Sequence, residues 1–292
     1  MGKTNTAVSE IAAVSSFPHA TVPTVGVGSP GVCVRHLESL DDFEACVALQ
    51  KTIWGADFDA IVPTSMLQVS THIGGLVIGA FADHTLVGFV FGLTGVRGDE
   101  IVHWSHMLGV RPDARGMGIG RQLKERQRRT LATRNLTRML WTFDPLQARN
   151  AHLNINRLGV RVTEYVVNTY GTTHSPLHFG IATDRLIVEC PTAPTSKSIQ
   201  ISPALFARPL PVLTPIPRHG DRVFDGDLPS VALVEIPVDV QRVAEESADA
   251  MNLWRVTTRE HLVWALGHNY RIAALHRDFA AGRAFYLVAR DA

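Results

Sequence analysis

A chain of 292 residues with 46% hydrophobic and 19% charged residues has the composition of a soluble folded protein, long enough for one large domain or two small ones. Its formal net charge of +1 gives no reason to expect nucleic acid or an anionic membrane as a partner. Three scattered cysteines, Cys33, Cys46 and Cys190, give neither a disulfide framework nor a zinc spacing, and no apolar run approaches the ~18 residues of a membrane span, so a metal-free protein of the reducing cytoplasm is expected.

In chain order, residues 1–31 are rich in Ser, Thr, Val, Pro and Gly with little charge, and read as a mobile tail. Residues 32–36 read as a strand, and Ser39 caps a helix that carries Leu40, Phe43, Val47 and Trp54 at helical spacing. Residues 76–81 and 86–93 flank Ala82-Asp83-His84-Thr85, a hairpin signal. A strand over 101–110, a glycine-rich turn over 111–121 and a basic helix over 122–135 follow. Next come a strand at 138–143, a helix at 147–158 stopped by Gly159, and strands at 160–170 and 186–190. Eight prolines between 191 and 229 argue for an extended crossing segment. Beyond it, 230–236 reads as a strand and 238–250 as a helix. Thr257 with Glu260 resembles a capping box for a helix running to about 276, and 284–289 reads as a last strand. Trp254, Trp264 and Tyr270 read as core in a C-terminal α/β extension that carries no chemical motif.

The turn holds the chemistry. Gly116, Gly118 and Gly120 remove side chains where a helix begins, so backbone N–H groups and the helix dipole can converge on a phosphate. No Gly-Lys-Ser/Thr follows, which excludes a P-loop, and Arg121 stands where a dinucleotide fingerprint starting at Gly116 needs glycine. The pattern present is Arg115-x-x-Gly118-x-Gly120 between a strand and a basic helix, preceded by Leu108-Gly109-Val110-Arg111-Pro112. It resembles the acyl-CoA pyrophosphate loop of the GNAT superfamily of N-acyltransferases, and the element order over roughly 32–190 is similar to that family's core. The resemblance implies an α/β (α+β) fold: a GNAT-like mixed central sheet flanked by helices, here with the C-terminal extension. The expected organisation is a tail at 1–31, an acyl-CoA-binding catalytic domain at 32–190, a crossing segment at 191–229 and the extension at 230–292. The resemblance further implies acetyl-CoA or another acyl-CoA as co-substrate. Met107, Leu108, Gly109 and Val110 would pair with its pantetheine arm, with the Leu108 N–H at the oxyanion. Arg115, Gly116, Met117, Gly118, Ile119, Gly120 and Arg121 would meet its pyrophosphate.

An amine acceptor is mostly protonated at neutral pH and must lose a proton before it attacks. His106 is nearest in sequence to the thioester site, His103 is next, and Glu100 is a third candidate base. Strand alternation puts His103, Ser105 and Met107 on one face and Trp104, His106 and Leu108 on the other. The family's tyrosine acid, four residues before the terminal glycine of the last core helix, corresponds to Ile155. Tyr165 and Tyr170 are alternatives. Asn150 and Asn154, four apart, share a helix face and could bond the pantetheine arm or face solvent. Asp144 could hold the acceptor ammonium or serve as a turn carboxylate, and His174 and His178 flank Pro176 without metal spacing. The expected protein is a CoA-dependent N-acyltransferase acting on a small-molecule amine or amino acid in a ternary complex, with oligomeric state left open. The rival readings are a non-catalytic acyl-CoA-binding protein and a different nucleotide-binding enzyme.

Overall fold

A computed structural model describes residues 31–171, 180–193, 210–213, 228–279 and 281–290. The tail at 1–30, His174 and His178, and most of the crossing segment at 191–229 lie outside the described residues.

Seven strands form the main sheet in the order β1-β2-β3-β4-β5-β7-β6. β1 is Val32–His36, β2 Leu76–Ala82, β3 Thr85–Arg97, β4 Glu100–Val110, β5 Arg138–Phe143, β6 Arg161–Val166 and β7 Arg185–Pro191. All neighbours are antiparallel except β4 and β5. The β2–β3 turn places Asp83 and His84 at positive φ, the conformation that a two-residue hairpin of matching twist requires. Two helices cover one face. In α1 (Leu40–Trp54), Ser39 and Asp42 close a capping box. α2 spans Thr64–His72. Phe43, Leu49, Leu67, Phe89, Phe91 and Met107 pack between these helices and the sheet. Leu40, expected on the apolar side, is exposed.

The other face carries α3 (Ile119–Thr133) and α4 (Ala148–Ala151), which runs into a π-helical turn at His152–Arg157. α3 begins three residues before the sequence suggested, so Ile119, Gly120 and Arg121 form its first turn. The extra residue per turn after Ala151 breaks the i, i+4 register that paired Asn150 with Asn154: Asn150 is exposed and Asn154 is buried.

A second sheet, β8-β10-β9, packs on that same side. It comprises β8 (Val231–Pro237), β9 (Tyr270–Asp278) and β10 (Arg283–Arg290), with α5 (Val240–Glu246) and α6 (Ala248–Gly267) between β8 and β9. Ser247 breaks the expected 238–250 helix, and its side chain caps α6. Thr257 is interior to that helix, and Asn269 at φ +64 ends it before a strand that the helix pattern had hidden. One apolar core runs from Leu123 and Trp141 through Ile155 and Val188 to Leu262 and Tyr286, so the two sheets share it.

Candidate active site

β4 and β5 are joined at only two residue pairs among the described residues, His103↔Met139 and Trp104↔Leu140. Beyond them the strands part, and residues 105–110 have no rung on the β5 side, while their other edge stays paired with β3. Within that edge Phe91 opposes Met107 and Gly92 opposes Ser105, which leaves His106 as a bulge. A Cβ on Gly92 would fall 2.3 Å from His103 Nε2, so glycine is what lets the strands approach there. The bulge shifts the alternation expected for a regular strand. His103 and Ser105 face α3, but past the bulge Leu108 and Val110 take that side and Met107 turns to the α1 side.

At the open end of the split lies the glycine turn. Gly116 (φ +87) and Gly118 (φ +75) occupy the left-handed region, and space beside both is open. Gly118 is the N-cap of α3 with no side-chain cap, and the first turn holds no acidic residue. The Ile119, Gly120 and Arg121 amides therefore lack intrahelical partners at the positive end of the dipole. Gly120 is different: its would-be Cβ sits 3.6 Å from Leu108 and 3.9 Å from Leu153, on the floor of the cleft. Arg115 donates to the Val110 carbonyl at 3.2 Å, while Met117 and Arg121 are exposed.

Of the three candidate bases, His106 alone reaches the split. Its ring is exposed and meets Phe91 edge-on at 5.9 Å, and partial desolvation lowers its pKa below 6.5. His103 is fully buried between Thr94 (3.1 Å) and Gln127 (3.0 Å), with its pKa pushed down to about 3. Glu100 pairs with Arg138 at the closed end, eight residues from Leu108, about 26 Å along a strand.

Asp144, assigned to the acceptor, is taken. It receives both terminal nitrogens of Arg255 at 2.8 and 2.7 Å and the Leu146 N–H at 2.9 Å, with Arg185 at 3.6 Å. Asp184 is likewise held by Arg259 and by the Tyr165 hydroxyl, which donates at 2.6 Å. Ile155 is buried in the core, and Asn154 accepts from Trp141 Nε1 at 2.9 Å. Tyr170 is open, with its hydroxyl 3.2 Å from that of Thr142. Thr142 lies on the face of β5 opposite Trp141 and Phe143, level with His106 across the split.

Sequence reasoning missed a buried polar chain under the split. Lys124 donates to Ser105 at 2.8 Å, Ser105 donates to Gln127 Oε1 at 2.8 Å, and Gln127 Nε2 meets His103. Leu123, Gln127 and Leu131 fall four apart on the buried side of α3, with Lys124 beside them. That spacing, rather than the count of basic residues, was the signal that this lysine faces inward.

A sheet parted beside an anion-ready helix start is the cleft expected of an acyl-CoA-dependent transferase. Residues 45–156 match the acetyltransferase (GNAT) family, so that stretch is a GNAT acetyltransferase domain. Solved structures similar to it include the ribosomal-protein-S18-alanine N-acetyltransferase from Escherichia coli, at 18% identity and TM-score 0.44, covering 58% of this chain and 99% of that one. The ribosomal-protein-alanine N-acetyltransferase from Brucella melitensis matches at 19% and 0.45, covering 54% and 98%. A Salmonella typhimurium protein described as an acetyltransferase and solved with its cofactor acetyl-CoA matches at 16% and 0.44, covering 59% and 99%. No curated protein matches the chain. No helix among the described residues is long and apolar enough to cross a membrane.

Proposed function

We propose that the protein is an N-acyltransferase that passes an acyl group, acetyl in the first instance, from acyl-CoA to a small amine or amino acid by direct attack with both substrates bound. The observation that carries this reading is the split between β4 and β5 with Gly118 opening α3 at its mouth. An acyl-CoA thioester supplies the activated acyl group. Residues 107–110 offer an extended pantetheine arm an edge with no rung to β5, although the Val110 carbonyl is already taken by the Arg115 side chain, and the amides from Gly116 to Arg121 meet its pyrophosphate. His106 takes the amine proton. Partial desolvation lowers its pKa, which favours the neutral ring that can accept a proton. Thr142 and Tyr170 hold the amine from the other lip of the split. The saturation of Asp144 and Asp184 by arginines leaves no role for either as an ammonium counter-ion. Residues 32–190 are the catalytic unit, and 230–292 brace it.

Melting in the presence of CoA, acetyl-CoA, NAD or ATP tests the reading. A ligand at 100 times its Kd adds about 2.7 kcal/mol, a visible shift. Selective stabilisation by the CoA compounds is the expected result, and stabilisation by NAD or ATP alone would refute it. With an acceptor in hand, His106→Ala lowers kcat by about 100-fold or more while acetyl-CoA affinity is kept.

A further inference from the structure

We propose that Lys124 meets the negative charge of the leaving sulfur and protonates it, filling the place of the absent tyrosine acid. The inference rests on the acyl-CoA reading above. Lys124 sits where the sheet comes apart. The last β4–β5 pair is Trp104↔Leu140. The next residues on each strand, Ser105 and Trp141, are the two that the ammonium bridges, donating to Ser105 Oγ at 2.8 Å and lying 3.8 Å from the Trp141 ring centroid. The residue is 3% exposed. Among the described residues no carboxylate pairs with it and Ser105 is its one hydrogen-bond acceptor, although an ammonium has three N–H donors. A buried cation without a counter-ion is costly, and an anion arriving at the vertex of the split removes that cost.

The step balances. As the amine nitrogen bonds to the acyl carbon, the carbon–sulfur bond breaks and sulfur keeps its electron pair. The amine proton passes to His106, and a Lys124 proton passes to sulfur, directly or through the Ser105 hydroxyl. Lys124 is reprotonated from solvent once CoA has left. Burial pushes the Lys124 pKa down to about 7 in the ligand-free protein, while a thiolate beside it raises that value and lowers the thiol's own, so Lys124 first meets the developing charge as a cation and gives up its proton as CoA leaves. The groups facing the ammonium are the Ser105 hydroxyl and, through Gln127, the His103 ring on β4, the Trp141 ring on β5 and the Cys190 thiol on β7. On its own helix Glu125 and Arg128 are paired with each other at 2.8 Å. Burial raises the pKa of Cys190, so that thiol is no counter-ion at neutral pH.

The test needs no acceptor. The ultraviolet thiolate band of CoA bound to the wild-type protein is followed against pH, with the desulfo-CoA complex subtracted to remove Cys190 and tyrosine signals. The bound thiol is expected to ionise at least about one pH unit below free CoA, as for other groups beside an opposite charge. Lys124→Met abolishes that shift. Lys124→Arg, a permanent cation, retains it. A bound thiol that ionises like free CoA overturns the proposal, and that result needs only the wild-type protein. A shift that persists in Lys124→Met overturns it too. Failure of CoA to bind at all is a different result: it removes the acyl-CoA reading and the role of Lys124 with it.

Discussion

Gly118 and Gly120 stand two positions apart and are glycine for different reasons. Gly118 needs φ +75, which costs another L-residue about 1–2 kcal/mol. Gly120 has ordinary φ, and a methyl there would make only normal contacts with Leu108 and Leu153. Gly118→Ala is therefore expected to lower both stability, by about 1 kcal/mol, and CoA affinity. Gly120→Ala should leave the urea midpoint nearly unchanged. Equal stability losses in the two variants would contradict this division. The loop was legible because backbone conformation selects glycine directly. The polar residues of β4 were not. Alternation separates His103 from His106 but does not say which of them is sealed under α3, and the bulge that carries Met107 to the α1 side depends on Gly92 and the β3 register. Of the two readings of Asp144, the turn carboxylate is met by the Leu146 N–H, whereas its partner Arg255, 111 residues away, had no local signal.

Five of the seven strands of the main sheet were readable to within one residue at each end, because alternation and turn chemistry are local, whereas β3 runs four residues further than expected and β6 stops four residues earlier. Helix ends were not. α3 gained its first turn from the glycine loop, and the π turn after α4 is held partly from outside. There the Asn156 side chain bonds both the carbonyl and the N–H of Leu275 on β9, at 2.8 and 2.9 Å. α6 supplies the other long-range link. Arg255 and Arg259, one helical turn apart, take Asp144 at the end of β5 and Asp184 before β7. Arg255 is nearly inaccessible, so Arg255→Ala strands a buried carboxylate and is expected to cost about 3–5 kcal/mol. Arg259 is partly exposed but its partner Asp184 is fully buried, so Arg259→Ala is expected to cost a comparable amount, eased by the Tyr165 hydroxyl and the Asn168 N–H that Asp184 keeps. Urea unfolding of the two variants decides this, and a loss below 1 kcal/mol for Arg255→Ala would mean that Arg185 suffices.

At the level of the whole molecule, the continuous core ties the second sheet to the α3 side of the main sheet, with the Tyr286 hydroxyl donating to the Pro145 carbonyl at 2.7 Å. Nothing local in the sequence announced which faces of the C-terminal strands would meet that core. Stability as a whole also carries a pH signature. His103 titrates near 6.5 when unfolded and near 3 when folded. Between those values the unfolded chain binds the extra proton, so stability falls as pH falls, by about 1.4 kcal/mol per pH unit from this ring. His36, lowered to about 4, acts in the same direction. The urea midpoint is expected to drop steadily from pH 6.5 to 4. A flat profile would show that His103 is hydrated in the folded protein.

The two-pair seam between β4 and β5 also has a mechanical meaning. It couples a block of four strands to a block of three through two residue pairs, so a bend at this seam disturbs fewer rungs than a bend between any other neighbouring strands of the main sheet. A pantetheine arm lying in the gap would act there as a splint, and the brace of α6 and its two arginines stiffens the far block so that the flexing stays at the seam.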